Sequence, residues 1–145
     1  MVGPQKNRPR LLARDRLHHA VGVTADKHAR WRKEGLLGDS PTAESQDALE
    51  LAVLEQLIET VGPKRAKRAW EVIRPSLRKR AGSLKRAWAV VDKELERDGV
   101  AFTARELVGS AARGSLIWVI PLGETMDAAR RAFDEHAAPA LGDSS

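Results

Sequence analysis

Residues 16–37 read RLHHAVGVTADKHARWRKEGLL, a stretch that carries the signals of two helices joined by a tight turn. Apolar residues recur at helical spacing from Pro9 up to Gly22, where glycine permits the backbone conformation that a sharp turn needs. Thr24 is a suitable N-cap for a second helix, which should end near Gly35. The sequence therefore predicts a helix-turn-helix within residues 9–35.

The second helix has an apolar anchor and a basic face. Trp31 lies eight positions after Val23, so both side chains are expected in the small core between the two helices. Lys27, Arg30 and Lys33 are then expected to face outward. An α-helix fits the major groove of B-DNA, where lysine and arginine meet guanine acceptors and phosphates. The pattern favours a DNA-recognition helix.

Three short motifs carry a family resemblance: Gly-Val-Thr at 22–24, Arg-Trp at 30–31 and Glu-Gly-Leu-Leu at 34–37. On these motifs residues 16–37 resemble the MerR and excisionase-like superfamily of winged helix-turn-helix proteins. The resemblance implies a winged-helix-like fold and sequence-specific binding of double-stranded DNA. That superfamily usually has a branched aliphatic residue at the position of His28. It also has a wing hairpin after the Gly-Leu-Leu segment, where this chain passes almost directly to an acidic helix.

Charge is distributed unevenly along the 145 residues, whose net charge is +5. Residues 1–37 carry +6 and residues 63–86 carry +9, whereas residues 38–62 carry −6 and residues 87–145 carry −4. Two basic blocks separated by acidic stretches indicate a surface that meets a polyanion on one side and repels it elsewhere.

The chain as a whole is predicted to be α+β and mainly helical. Residues 115–120 form a continuous apolar run, which is typical of a strand buried on both faces. Pro75 is expected to kink or divide the second basic segment. The expected parts, in chain order, are a basic arm with a winged-helix-like helix-turn-helix (1–40), a helical hairpin with a basic second helix (41–82), an acidic β-β-α-β-α unit (83–138) and a disordered tail (139–145).

The predicted DNA contacts are of two kinds. Lys27, Arg30 and Arg32 are expected to lie nearest the bases. The other expected contacts are basic or polar residues, most of which should bind phosphates and add affinity with little sequence information. They are Arg8, Arg10, Arg14, Thr24, His28, Lys33, Lys64, Arg65, Lys67 and Arg68. Residues 62–81 are either a second DNA-reading element or a basic face that packs through its apolar side.

Other classes of function find little support. The chain has no cysteine, which excludes disulfides and thiolate zinc sites. It has no metal-ligand spacing, nucleophile pattern or phosphate-binding glycine loop, so we expect no enzyme activity, metal site or cofactor. His18 and His28 are expected to approach each other as a polar core contact or a phosphate contact. The acidic run 92–98 is interpreted as a solvated turn. Because no apolar run has membrane-spanning length, we expect a cytoplasmic protein.

We therefore expect a transcriptional regulator, with repression favoured, that binds double-stranded DNA as a homodimer. Either the long helix at 42–61 or the apolar edge of the C-terminal unit is expected to form the dimer contact. Two alternatives remain open at this point. One is a DNA-bending excisionase-like or phage accessory factor, and the other is an antitoxin whose acidic C-terminal unit binds a toxin.

Overall fold

The structure is a computed structural model that describes residues 10–94 and 97–139. The fold is α+β and mainly helical, as predicted, and contains two three-stranded sheets. The chain forms two compact units: unit 1 comprises Met1–Leu51 and Ala128–Ser145, and unit 2 comprises Ala52–Asp127. In the described ranges, no helix has the length and apolar character required to cross a membrane.

Unit 1 combines a small antiparallel sheet with the helix-turn-helix. The central strand pairs on one side with the strand that follows the helix-turn-helix and on the other with the last described segment. A 3₁₀ turn (Arg14–Arg16) leads from this strand into the first helix. The elements are β1 (Arg10–Ala13), α1 (Leu17–Val21), α2 (Ala25–Lys33), β2 (Thr42–Ala43), the beginning of α3 (Ser45–Val61), the end of α6 (Leu122–His136) and β6 (Ala138–Pro139).

Residues 10–13 form a strand and residues 14–16 a 3₁₀ turn, so the prediction of one α-helix from Pro9 to the turn is wrong over this segment. Leu12 lies opposite Ala43 and Leu11 lies opposite Ala138, which gives β1 a partner strand on each side. Pairing between distant segments therefore overrides the local helical spacing. Pro139, which was expected in a disordered tail, lies in β6; the rest of that tail and the arm 1–8 lie outside the described residues.

Unit 2 contains the basic helix and the predicted β-β-α-β-α succession of elements. Its sheet is antiparallel, with Trp88–Asp92 (β3) as the central strand between Gly99–Ala101 (β4) and Leu116–Pro121 (β5). The elements are the end of α3, α4 (Pro63–Lys79), a 3₁₀ turn (Ala81–Arg86), β3 (Trp88–Asp92), β4 (Gly99–Ala101), α5 (Ala104–Ala112), β5 (Leu116–Pro121) and the start of α6. Each unit boundary falls inside a helix, and unit 1 consists of two separate stretches of the sequence.

Strand β5 is an edge strand, and the prediction that residues 115–120 are buried on both faces is wrong. The central strand β3 takes the fully buried position instead, with Ala89, Val90 and Val91 at most 3% exposed. In β5 the side chains alternate, and Ile117 and Val119 remain 49% and 36% exposed. A continuous apolar sequence therefore does not by itself place a strand at the centre of a sheet.

Helices α3 and α4 supply much of the core. The predicted apolar stripe of α4 is confirmed, since Ala66, Ala69, Trp70, Ile73 and Leu77 are all at most 2% exposed. Pro75 does not divide the helix, which continues to Lys79. In α3, only Glu59 and Thr60 are classed as exposed. This helix is a core element rather than a free surface.

Gly123, at the start of α6, lies close to the 3₁₀ turn Ala81–Arg86. A substitution at Gly123 tests this packing. A Cβ atom at Gly123 would lie 2.9 Å from the carbonyl carbon of Lys85 and would overlap its oxygen. We predict that Gly123→Ala lowers the free energy of unfolding by about 1–3 kcal/mol because backbone must move. A Cβ atom at Gly109, in α5, would have no atom within 4 Å. Gly109→Ala should therefore raise the free energy of unfolding by about 0.5–1 kcal/mol. Chemical denaturation measures both values, and equal effects of the two variants would contradict this packing.

Candidate nucleic-acid interface

The turn between α1 and α2 is closed by hydrogen bonds to a single carbonyl group. Gly22 adopts a left-handed backbone with φ of 88°, as predicted from its position at the turn. The amides of Gly22 and Val23 both donate to the His18 carbonyl, at 2.8 and 2.9 Å. Val23 is buried, which confirms its predicted place in the small core.

Helix α2 begins at a side-chain cap and is anchored through one face. The Lys27 amide donates to the Thr24 hydroxyl at 3.3 Å, which satisfies one of the free amides at the helix start. Trp31 is 5% exposed and His28 is 1% exposed. The predicted apolar anchor is confirmed, and it fixes which face of α2 points away from the core.

The outward face of α2 carries one small side chain beside basic ones. Ala29, Arg30 and Lys33 are exposed, whereas Lys27 is half-buried. In the described residues, the structure shows no ion pair to the side chain of Arg30 or Lys33. Ala29 leaves space beside the arginine, so the backbone of α2 can approach another surface closely. This face therefore offers two unneutralised cations on a rigid helix.

Arg14 is a structural residue, and the prediction that it contacts DNA is wrong. Its side chain is 5% exposed and forms an ion pair with Asp47, with Nη1 3.2 Å from Oδ1. Its Nε donates to the Ser40 carbonyl at 2.9 Å, and its own amide donates to the Pro41 carbonyl at 2.8 Å. The guanidinium is therefore committed to the segment that follows α2.

Arg32 is also occupied, although nearer the surface. Its Nε and Nη2 donate to Asp39 Oδ1 at 2.9 and 2.6 Å, and the Asp39 side chain is 73% exposed. An ion pair this exposed contributes little stability and can open in solution. The expected position of Arg32 among the residues nearest the bases nevertheless requires that this pair break.

His28 is a buried, uncharged residue, so the prediction that it contacts DNA is wrong. Burial, the largest cause, acts together with the neighbouring Arg32, His18 and Arg14 to lower the pKa of His28 to about 4. Its ring lies 5.9 Å from that of His18, which confirms that these two histidines approach each other. In the described residues, His28 Nε2 has no hydrogen-bond partner.

The basic helix α4, in unit 2, uses one of its cations internally. Arg65 Nη2 donates to the Asp98 carboxylate at 2.7 Å and to the Asp92 carbonyl at 2.6 Å. Asp98 is 5% exposed and also accepts from the Asp92 amide at 2.8 Å. A hydrogen bond from the Glu94 amide lowers the pKa of Asp92. Arg65 is therefore committed to internal partners, which contradicts its prediction as a DNA contact, and the burial of Asp92 and Asp98 contradicts a fully solvated turn over 92–98.

The remaining predicted contacts on α4 have different surroundings. Lys64 and Arg68 are exposed, and the described part of the chain provides no ion-pair partner for either. Lys67 is half-buried and has an electrostatic or hydrogen-bonding partner. Arg8 lies outside the described residues, and Arg10 is described only through its backbone in β1.

Two features were not predicted from the sequence, one in unit 1 and one in unit 2. A pocket of about 330 Å³ in unit 1 is lined by His18, His19 and His136, and nothing in the sequence indicates that residues more than 100 positions apart meet. In unit 2, the ion pair between the half-buried Arg65 and the buried Asp98 joins a basic helix to an acidic turn. In the described ranges, no group of three or more histidine or acidic side chains is placed to hold a metal ion.

In comparison with known proteins, the chain matches no family model and no curated protein. The resemblance of residues 16–37 to MerR and excisionase-like proteins therefore stays a prediction.

The buried position of His28 predicts an acid-sensitive fold. Its pKa is about 4 in the folded chain and about 6.5 in the unfolded chain, so the unfolded chain binds more protons between these values. The stabilisation from neutral His28 is complete above pH 6.5 and is lost as pH falls towards 4, by about 3 kcal/mol in total. His28→Leu and His28→Gln should both reduce the loss of unfolding free energy between pH 7 and 4 by about this amount. Urea denaturation across the pH series measures it, and an unchanged acid slope in both variants would contradict the assignment.

Proposed function

We propose that the protein is a sequence-specific double-stranded DNA-binding regulator of transcription that acts as a homodimer. The observation that carries this proposal is the exposed face of α2. A capped helix buries Trp31 and His28 on one side and presents Arg30 and Lys33 on the other. A rigid helix with a basic outward face can enter the major groove, where arginine pairs with guanine through two hydrogen bonds.

The arrangement of unit 1 supports a winged helix-turn-helix as the form of this module. Strand β2 follows α2 and pairs with β1, which precedes α1, so the sheet brackets the two helices. In this proposal, residues 38–41 and β2 take the place of a wing. These residues are too few to form a long hairpin. Helix α2 therefore makes most of the base contacts in this proposal.

Helix α4 supplies a second, less specific contribution to binding. Lys64 and Arg68 are exposed on a helix in a segment whose net charge is +9. Dense exposed cations bind phosphates through charge and release counterions from DNA, which increases affinity for every sequence. Arg65 is excluded from this role by its pairing with Asp98.

The proposal predicts separate effects for the two helices. Arg30→Ala should cost about 1–3 kcal/mol of discrimination between the selected site and a scrambled duplex, because a base contact is lost. Lys64→Ala and Arg68→Ala should weaken binding to both duplexes and lower the salt slope by about one unit each. The measurement is fluorescence anisotropy across a salt series, with a duplex first selected from random DNA by the wild-type protein.

Arg105→Ala is the matched control, because this exposed arginine lies on α5 in the acidic part of the chain. It should change neither affinity nor salt slope. The assignment of α2 as the reading helix is contradicted if Arg30→Ala weakens both duplexes equally while the α4 variants remove discrimination.

The dimer contact is best placed at strand β5. The first candidate, the long helix at 42–61, is mostly buried or half-buried as α3 and has little fully exposed surface to offer a partner. Strand β5 has β3 on one side, and in the described residues no strand pairs with its other edge. It contains no charged residue, and Ile117 and Val119 are exposed. A long, uncharged and apolar edge strand is a site for strand addition.

A second copy of this chain is the occupant that fits the edge. Two antiparallel β5 strands related by a two-fold axis would pair residue for residue, extending both three-stranded sheets into one sheet of six strands. This closed pairing uses the free edge of both copies at once. It also gives the regulator the two-fold symmetry with which dimeric helix-turn-helix proteins match paired half-sites.

Charged substitutions on the edge strand test the dimer. Ile117→Lys and Val119→Lys should each weaken the dimer about tenfold to 100-fold, because burying an aliphatic side chain stabilises by about 1.5–3 kcal/mol. Val108→Lys is the matched control, since Val108 is 65% exposed but lies on α5. Sedimentation equilibrium measures the association. A monomeric wild-type protein, or equal weakening by all three variants, would contradict the β5 dimer.

A further inference from the structure

A pocket in unit 1 lies beside the helix-turn-helix and has polar walls. It measures about 330 Å³, which is at the small end of the range for ligand-binding pockets. Its lining comes from β1, the following 3₁₀ turn, α1 and the end of α6: Leu12, Asp15, Arg16, His18, His19 and His136. The volume suits a small molecule rather than a peptide.

Arg16 and the imidazole N–H groups of the lining can donate hydrogen bonds to an anionic group, and Asp15, which is exposed, is the acidic side chain among the lining residues. Arg16 is exposed, and the described residues provide it with no ion-pair partner, so its guanidinium is available to an oxyanion. His136 Nδ1 donates to the Ala132 carbonyl at 2.9 Å, which fixes the orientation of its ring. The rings of His19 and His136 lie 5.7 Å apart with their planes at 85°. Leu12 adds an apolar wall that a hydrocarbon portion of a ligand can contact.

One residue of the pocket is connected directly to the DNA-binding module. The ring of His18 lines the pocket and lies 5.9 Å from the buried ring of His28 on α2. The carbonyl of the same residue accepts both amide hydrogen bonds that close the turn between α1 and α2. A ligand that displaces His18 therefore perturbs the turn and the packing of α2 together.

We infer that this pocket binds a small organic anion, a carboxylate or a phosphate ester, and that its occupancy alters DNA binding through His18. The inference rests on the proposed function for its second half, because only a DNA-binding protein can show the coupling. The thermodynamic coupling is reciprocal, so DNA must change the affinity of the pocket for its ligand by the same factor as the ligand changes the affinity for DNA.

Ligand binding is tested first without DNA, by NMR of the full chain. The chain has four histidines, so the imidazole carbon–proton spectrum is simple. Titration with benzoate, phenyl phosphate or inorganic phosphate should shift the signals of His18, His19 and His136 until they saturate. The dissociation constant should be about 1 mM, as expected for a ligand of so few atoms. Benzoate and phenyl phosphate distinguish a carboxylate from a phosphate ligand, and inorganic phosphate shows whether the organic portion contributes.

Two variants establish where the probe binds. Arg16→Ala should weaken binding about tenfold, because it removes a charge-assisted hydrogen bond. Arg130→Ala is the control, since Arg130 is an exposed arginine of the same unit that does not line the pocket. Shifts that do not saturate with any of the three probes, or equal weakening by the two variants, would overturn the binding site.

The coupling is tested by DNA binding at constant ionic strength, with and without the probe that binds most tightly. The affinity of the wild-type protein for its selected duplex should change at least about fivefold, which is the lower end of typical allosteric couplings. Arg16→Ala should show no change at the same probe concentration. An equal change in both proteins would mean a salt effect and would overturn the coupling. If the protein bound no DNA, the proposed function would fail while the NMR result still decided the ligand site.

Discussion

The ion pair between the buried Arg14 and the half-buried Asp47 is the contact on which the helix-turn-helix depends. Arg14 begins the 3₁₀ turn that precedes α1, and its partners lie between Ser40 and Asp47, in the segment from the loop after α2 to the first turn of α3. Asp47 also accepts a hydrogen bond from the Glu44 amide at 2.7 Å, where α3 starts. One guanidinium thus joins the two ends of the helix-turn-helix to the next helix. Removing one partner of a fully buried pair typically costs about 3–5 kcal/mol, and loss of Asp47 would leave the charge of the buried Arg14 unpaired.

Some of the basic side chains stabilise the fold, and others remain on the surface. Arg14 and Arg65 lie in basic segments, but each is used inside its own unit to neutralise an aspartate. The cations left on the surface are those whose helix position points away from the core, such as Arg30 on α2 and Arg68 on α4. The proposed function therefore rests on a smaller set of residues than the charge of the segments indicates.

Sequence patterns predicted the features that depend on neighbouring residues. The turn at Gly22, the cap at Thr24, the burial of Trp31 and the apolar stripe of α4 all follow from local spacing and backbone preference. The features that failed depend on distant partners. Residues 10–13 become a strand because β2 and β6 pair with them, and His28 is buried by residues that local spacing does not reveal. The His18 pocket combines α1 with the end of α6, which no short motif encodes.

The most direct measurement of the central claim, that α2 lies in a groove of bound DNA, is cleavage from a single tethered site. The chain has no cysteine, so Ala25→Cys, at the exposed start of α2, can carry one iron–EDTA group, with Ala112→Cys at the exposed end of α5 as the control. We predict that hydroxyl radicals from position 25 cut the selected duplex at short clusters in a fixed register, whereas those from position 112 cut without a preferred position. Localised cutting from position 112 together with diffuse or absent cutting from position 25 would contradict it.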